Sequence, residues 1–179
     1  TGVQTCALPI CPFRDPNPDV PDDERYKAVV RTKDLMEMVS PDGLNWRLIQ
    51  DEPIMTDGPF DSVNVVFWDT RLEEYVVYTR GLAGEATQTK SEKDISLWKK
   101  SYRWVRRSTS PDFINWSPLE QVDTGETPHE DFYTNACVQY ERAPGIYLMF
   151  PSRYVVERTP NAEWADHIAA NANQPYGNG

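Results

Sequence analysis

Three carboxylates stand at matching places in three successive segments of the sequence. They are Asp15, Asp61 and Glu130, each next to aromatic and asparagine residues. If these segments are inner strands that meet at one axis, the carboxyl groups converge. Hydrolysis of a glycosidic bond uses such a pair, one group as acid and the other as base or nucleophile. Aspartates also cap the turns that lead into strands, so a structural role stays open. We predict Asp15, Asp61 and Glu130 as catalytic carboxylates of a central cavity.

Other polar side chains near these segments could bind sugar hydroxyls or carboxylates. Arginine suits acidic sugars because its planar guanidinium pairs with a carboxylate through two hydrogen bonds. A histidine beside Glu130 could bind a hydroxyl group or tune the carboxylate, although an exposed loop histidine is the alternative. The predicted substrate-binding residues are Asn64, Arg80, His129, Tyr133, Asn135 and Arg153.

Several other kinds of chemistry find no support in the sequence. The two histidines, His129 and His167, cannot complete a metal-ligand trio. The cysteines show neither metal-ligand spacing nor a disulfide framework, and Cys137 reads as a small buried hydrophobe. A glycine-rich phosphate loop and a Gly-x-Ser-x-Gly elbow are both absent. We therefore predict no metal site and no cofactor.

Charge and composition exclude two classes of partner. The 179 residues include 18 Lys and Arg against 28 Asp and Glu, which gives a net charge of −10. Such a chain repels phosphate backbones, so we predict no nucleic-acid partner. The basic and aromatic run 90–107 is interpreted as an exposed insert followed by an amphipathic strand. No run approaches the roughly 18 apolar residues of a membrane span, so no membrane partner is predicted. Oligomeric state and cellular compartment stay open.

An internal repeat indicates how these residues are positioned. Five of seven residues in Ser40–Trp46 recur in Ser110–Trp116, at an offset of seventy. Ser, Pro and Asp end a strand, and the Asp side chain accepts hydrogen bonds from N–H groups two residues on. The Trp opens the next strand and packs under the turn. The two turns are therefore predicted to be equivalent.

Short β-branched and aromatic runs surround each turn, as is typical of strands. Together they form a unit of an inner strand, two further strands, the Asp turn and an outer strand. Radial repetition of four-stranded units is the pattern of a β-propeller. The sequence predicts an all-β fold, a partial propeller of about two and a half blades of four antiparallel strands. The blade units are about 11–50, 60–120 and 131–179, with an insert at 81–101 and a short helix at 162–170. The predicted strands are 26–30, 35–39, 63–68, 75–80, 102–106, 134–140 and 146–150.

We also make predictions about the two ends of the chain. Residues 1–10 resemble the translation of a sequencing-adapter oligonucleotide, so we expect a non-native segment that joins no strand. The alternative is a genuine N-terminal segment. We expect the remainder to be a fragment cut at both ends and inactive by itself. Open faces would then leave Val138, Leu148 and Phe150 less buried than Val65 and Val77.

Several motifs together resemble a known family. They are Phe13-Arg14-Asp15-Pro16, the run 22–27, the two Ser-Pro-Asp-x-x-Asn-Trp turns, Phe60-Asp61-Ser62-x-Asn64 leading to Phe67-Trp68-Asp69, Tyr133-Thr134-Asn135 and Arg142-Ala143-Pro144. Residues 12–154 resemble the five-bladed β-propeller glycoside hydrolases of the invertase, levansucrase and arabinanase type. The likeness is greatest to uncharacterised bacterial members. It implies a five-bladed propeller and a carbohydrate substrate.

The resemblance also implies one catalytic role. In invertase-like enzymes the aspartate of Arg-Asp-Pro stabilises an oxocarbenium-like transition state, and that role maps onto Asp15. The family's Asn-Asp-Pro nucleophile and Glu-Cys acid are absent from this sequence, and Glu130 is the nearest substitute for the acid. The resulting hypothesis is that the parent protein hydrolyses a glycosidic bond of an oligo- or polysaccharide. The alternatives are a non-catalytic carbohydrate- or protein-binding propeller and a purely structural β-domain.

Overall fold

The computed structural model describes residues 10–84, 101–128 and 130–154. These residues form an all-β structure in which every strand pair is antiparallel. Within these ranges there is no α-helix, only a 3-10 turn at Asp22–Glu24, and so no helix that could span a membrane. The strands are β1 (Phe13–Arg14), β2 (Tyr26–Arg31), β3 (Leu35–Ser40), β4 (Arg47–Leu48), β5 (Val65–Asp69), β6 (Glu74–Gly84), β7 (Ser101–Ser110), β8 (Glu120–Gln121), β9 (Asp131–Thr134), β10 (Val138–Gln139), β11 (Tyr147–Leu148) and β12 (Ser152–Tyr154).

Two four-stranded sheets make up the first and second units. The first unit has the order β1-β2-β3-β4 and the second has the order β5-β6-β7-β8. In the second unit β6 continues beyond the expected end at Arg80, because residues 80–84 pair with 101–105 of β7. The predicted insert therefore begins later than residue 81, and its residues 85–100 lie outside the described residues.

The third unit consists of two short strand pairs, β9 with β12 and β10 with β11. The sequence predicted one continuous inner strand over 134–140, and this is wrong. The strand breaks at Asn135, whose side-chain amide donates to the carbonyls of Val63 and Tyr78 in the second unit at 3.0 and 3.2 Å. Ala136 follows with a φ of 42°, which turns the chain between β9 and β10. The helix expected at 162–170 lies outside the described residues.

Apolar layers join the units in chain order. The first layer holds Val29 and Leu35 of the first unit against Val66, Tyr75 and Val77 of the second. The second layer holds Val76, Tyr78 and Val105 of the second unit against Cys137 and Tyr147 of the third. Cys137 is buried, as predicted. Alternate residues of β6 thus face opposite neighbours, which is the expected period of two in a strand.

The two repeated turns adopt the same hydrogen-bonded structure, and this prediction is confirmed. Asp42 accepts the N–H groups of Leu44 and Asn45 at 2.8 Å each. The matching bonds to Asp112 are 2.9 and 2.7 Å. Each Trp indole donates to the carbonyl of the residue that follows the Asp, at 3.0 Å in the first turn and 3.2 Å in the second. The outer strand begins one residue after Trp46 and four residues after Trp116, so neither Trp lies inside it.

The outward face of the third unit is open, as the sequence predicted. Val138, Leu148 and Phe150 are 50%, 37% and 66% exposed, whereas Val77 is 0% exposed. The reason is that Tyr147 and Met149 pack on the second unit, so their neighbours along the chain point the other way. Residues 1–9 lie outside the described residues, and Ile10 joins no strand.

Candidate functional site

Asp15 is enclosed at the interface between the first and second units. Its side chain is 0% exposed, and its Oδ2 accepts the Tyr75 hydroxyl at 2.7 Å. The Lys27 ammonium lies 3.2 Å from the same oxygen and is 3% exposed. Oδ1 accepts the backbone N–H of Asn17 at 2.9 Å. Protein groups therefore surround this carboxylate, and it links β1, β2 and β6.

Aromatic rings shield the Asp15–Lys27 pair. The Lys27 ammonium lies 5.3 Å from the ring centroids of both Tyr75 and Phe113. Burial, followed by the hydrogen bond to Asp15, raises the pKa of Tyr75, so its hydroxyl stays protonated and donates. In this low-dielectric interface the aromatic faces and the carboxylate together offset the cost of burying the ammonium.

Asp61 is at the opposite side of the second unit and is far more accessible. It forms an ion pair with Arg80 of β6. The Asp61 side chain is 43% exposed, whereas that of Arg80 is 3% exposed. Burial lowers the pKa of Arg80, and the charge of Asp61 acts in the opposite direction. The guanidinium also lies 5.5 Å from the ring centroid of Tyr133 in the third unit.

Two tyrosines form a half-exposed aromatic surface beside Arg80. Tyr133 of β9 and Tyr154 of β12 stack with centroids 5.7 Å apart and an interplanar angle of 25°. The pairing of Tyr154 with Asp131 places both rings on one face of the hairpin. Their exposed fractions are 39% and 41%. We call Tyr133 and Tyr154 the tyrosine platform.

Arg103 supports the tyrosine platform from β7. Its guanidinium carbon lies 4.0 Å from the Tyr154 centroid and 5.7 Å from the Tyr133 centroid. Asp131 holds Arg103 in place, because its Oδ1 accepts the Arg103 backbone N–H at 2.6 Å and lies 3.3 Å from Nη1. The sequence analysis missed Arg103 and Asp131. Arg103 lies in the run 90–107, which was interpreted as an exposed insert and an amphipathic strand. The alternation of charged and aromatic residues at Arg103 and Trp104 was the signal that could have identified it.

The remaining predicted residues fall into three groups. Glu130 and Arg153 form an ion pair of 3.2 Å, with side chains 35% and 64% exposed. Asn64 and Asn135 are each 2% exposed and donate their amides to backbone carbonyls, Asn64 to Phe60 and Ser62 at 2.9 and 3.1 Å. His129 lies outside the described residues. The structure thus joins Asp61, Arg80 and Tyr133 through direct contacts, and it puts Asp15 at a different interface.

This surface is suited to a ligand with both apolar and hydroxyl-bearing faces. Two ring faces provide apolar area, and Arg80 and Arg103 beside them are each paired with a carboxylate, Asp61 and Asp131. Such fixed polar groups beside aromatic rings give orientation and specificity to a binding site. In the described parts of the chain, His, Cys, Asp and Glu do not form a group of three that could hold a metal ion.

Comparison with known proteins adds no relative. The chain matches no protein-family model and no curated protein. The resemblance to propeller glycoside hydrolases therefore stays a prediction, and function rests on the geometry of the tyrosine platform and the ion pairs beside it.

Proposed function

We propose that the protein binds a carbohydrate at the tyrosine platform and that its parent hydrolyses a glycosidic bond there. The observation that carries this proposal is the stacked pair Tyr133 and Tyr154, half exposed and backed by Arg103. Sugar rings present C–H groups that pack on aromatic faces and hydroxyl groups that bind charged side chains. A rigid aromatic pair beside fixed polar groups suits both.

The fold that supports this function is, in our proposal, a five-bladed β-propeller. Two four-stranded antiparallel sheets and a third, partial unit follow one another in chain order. Apolar layers join neighbouring units, and the same Asp turn precedes the outer strand of the first two. Radial repetition of such units is the propeller pattern.

Asp61 and Glu130 are the proposed catalytic carboxylates. Their side chains are 43% and 35% exposed, so a substrate can reach both. Asp61, paired with the buried Arg80, acts as base or nucleophile, and Glu130, the nearest substitute for the acid of the resembled family, acts as acid. Retaining and inverting glycosidases need such groups about 5 to 9.5 Å apart across the bond that is cleaved.

A second candidate function is carbohydrate binding without catalysis. The burial of Asp15 favours it. The family resemblance gives Asp15 the role of stabilising the transition state, yet Lys27 and Tyr75 occupy its Oδ2 and its side chain is 0% exposed. A carboxylate in that position holds two sheets together and does not reach a sugar.

Calorimetric titration of the 179-residue chain with neutral and uronic-acid oligosaccharides tests binding. We expect Tyr154→Ala to weaken binding about 5-fold, because an aromatic pair contributes about 1 kcal/mol beyond its buried area. Tyr140→Ala is the matched control, since Tyr140 is 40% exposed and lies at the other end of the third unit. Equal affinity of wild type and Tyr154→Ala for a bound sugar would overturn the proposal, as would the absence of binding to any sugar.

Release of reducing ends separates hydrolysis from binding alone. Turnover that is lost in Asp61→Asn and Glu130→Gln, with sugar affinity within a few-fold of wild type, supports the catalytic assignment. Turnover that survives both substitutions contradicts it. Because the 179-residue chain is expected to be inactive by itself, turnover is assayed in the full-length parent, where sugar binding without turnover supports the second candidate function.

A further inference from the structure

Glu37 is a carboxylic acid buried inside the first apolar layer. It lies on β3 between Leu35 and Val39, opposite Val29 of β2. Because Val29 and Leu35 belong to the layer against the second unit, Glu37 points into that layer as well. It is 0% exposed, and within the described residues neither of its carboxyl oxygens has a hydrogen-bond partner.

Charged groups on this interface are engaged with other partners. Lys27 contacts Asp15 at 3.2 Å and Glu24 at 3.8 Å. The Tyr75 hydroxyl donates to Asp15 at 2.7 Å, and Arg106 Nη2 donates to the carbonyl of Asp57 at 2.7 Å. The titratable and charged groups on the faces of the two sheets that meet at this layer are Asp15, Lys27, Arg31, Arg47, Tyr75 and Arg106.

An ionised carboxylate without a partner is strongly disfavoured in such a place, whereas the neutral acid is tolerated. Burial raises the pKa of Glu37 from 4.5 to about 7, although its own backbone N–H acts to lower it. The direction agrees with the geometry, because both oxygens have lost water and have gained no charged partner.

We propose that Glu37 is a pH-sensitive lock between the first and second units: the neutral acid permits the closed apolar layer, and ionisation weakens it. Below about pH 4.5 the carboxyl is neutral in folded and unfolded chains alike, so the stabilisation is complete. Between about pH 4.5 and 7 only the unfolded chain ionises, and stability falls. Above about pH 7 the folded form ionises too, and the loss is complete.

Two other carboxylates, Asp42 and Asp112, also have shifted pKa values. Their shifts make stability rise with pH, and they do so at lower pH than Glu37. N–H groups of Asn45 and Leu44 lower the pKa of Asp42. Burial acts to raise the pKa of Asp112, but hydrogen bonds from Asn115 and Ile114 prevail and lower it to about 2. Their stabilisation is lost as pH falls below about 4. The range above pH 5 therefore isolates the effect of Glu37 from that of the turns.

Urea unfolding of the 179-residue chain between pH 5.5 and 8.5 tests the lock. For wild type, folded and unfolded pKa values of about 7 and 4.5 predict an unfolding constant that rises about 30-fold over this range, relative to Glu37→Gln. Glu37→Met, which is apolar and of similar volume, should remove the same pH dependence if the Gln variant fails to fold. Glu141→Gln, an exposed carboxylate of the third unit, should leave it unchanged.

Carbon-detected NMR titration of the Glu37 carboxyl gives a second readout that does not require a variant. A midpoint near 7 in the folded chain supports the lock. A midpoint near 4.5 overturns it, and so does an unfolding constant with the same pH dependence in wild type and both Glu37 variants.

Discussion

The two interfaces of the second unit use carboxylates in opposite ways. At the first interface Asp15 is 0% exposed and pairs with a lysine that is also buried. At the second interface Asp61 is 43% exposed, although its partner Arg80 is 3% exposed. The strand registers align Asp15 with Asp69 rather than with Asp61, so different positions in the two units give one enclosed ion pair and one that solvent reaches. Only the second can meet a ligand directly.

The difference follows from what surrounds each cation. Lys27 lies beside Tyr75 and Phe113, within an apolar layer that also contains Phe60 and Leu35. Arg80 extends along β6 toward the half-exposed ring of Tyr133. A compact ammonium suits enclosure by one carboxylate, whereas a planar guanidinium can bind a carboxylate and face an aromatic ring together. The first interface thus encloses its charges, whereas the second leaves a carboxylate and two aromatic rings accessible to solvent.

The largest effect is expected at the enclosed pair. Asp15→Asn leaves the buried Lys27 ammonium with only the more distant carboxylate of Glu24, at 3.8 Å, which should lower the free energy of unfolding by about 3 kcal/mol. Asp61→Asn should cost less, about 1–2 kcal/mol, because its carboxylate is partly solvated even though Arg80 is buried. Urea unfolding of both variants measures the contrast.

A double variant distinguishes an ion-pair effect from a packing effect. Asp15→Leu with Lys27→Met replaces both charges by apolar groups and should recover much of the stability lost in Asp15→Asn. If Asp15→Asn and Asp61→Asn destabilise the chain equally, the contrast between the interfaces is wrong. If Asp15→Asn retains full stability and loses only sugar turnover, Asp15 is catalytic after all.

The second effect concerns Phe113, which enters the first interface from the repeated turn. It is 0% exposed and has a φ of 69°, where its counterpart Gly43 has a φ of 76°. Phe113→Ala should cost about 3–5 kcal/mol through the lost packing. Phe113→Gly should be more stable than Phe113→Ala by about 1 kcal/mol, because only glycine adopts a positive φ without strain.

The melting temperatures of Phe113→Gly and Phe113→Ala show whether the backbone at position 113 is strained or whether only side-chain packing matters there. In an ordinary strand or helix glycine is the less stable of the two. Should Phe113→Gly melt below Phe113→Ala, the backbone at this turn carries no strain, and the two turns differ only in their side chains.

Local features of this fold could be predicted from the sequence, whereas long-range ones could not. The Asp turns depend on residues within seven positions, so their structure follows from Ser, Asp and Asn alone. The burial of Asp15 depends on Tyr75, sixty positions away, and on the register that puts Phe13 opposite Lys27. The break at Asn135 depends on carbonyls of another unit. No local pattern contains that information.

The same distinction between local and long-range features applies to the residues of the candidate site. Asp61, Arg80 and Tyr133 were predicted because the sequence placed each near the expected end of a strand, beside aromatic residues. Arg103 and Asp131 were missed because their roles arise from the contact of β7 with β9. The sequence signal for Glu37 was overlooked. It is the one charged residue in the apolar run 35–39, and a strand that is apolar on both faces is expected to be buried.

The smallest effect is expected from the turn aspartates, and it extends the comparison to the two turns themselves. Asp112→Ala removes hydrogen bonds to Ile114 and Asn115 and should cost about 1 kcal/mol. Asp42→Ala removes the matching bonds from a turn that buries no side chain like Phe113, so its effect should be smaller. Because hydrogen bonding lowers the pKa of both carboxyl groups, their stabilisation is present near neutral pH and disappears as pH falls below about 4. Urea titrations of both variants and wild type at pH 7 and pH 3 measure this. The difference between wild type and Asp112→Ala should shrink at pH 3, and a difference that grows there would show that the aspartate acts as the neutral acid and not as a carboxylate.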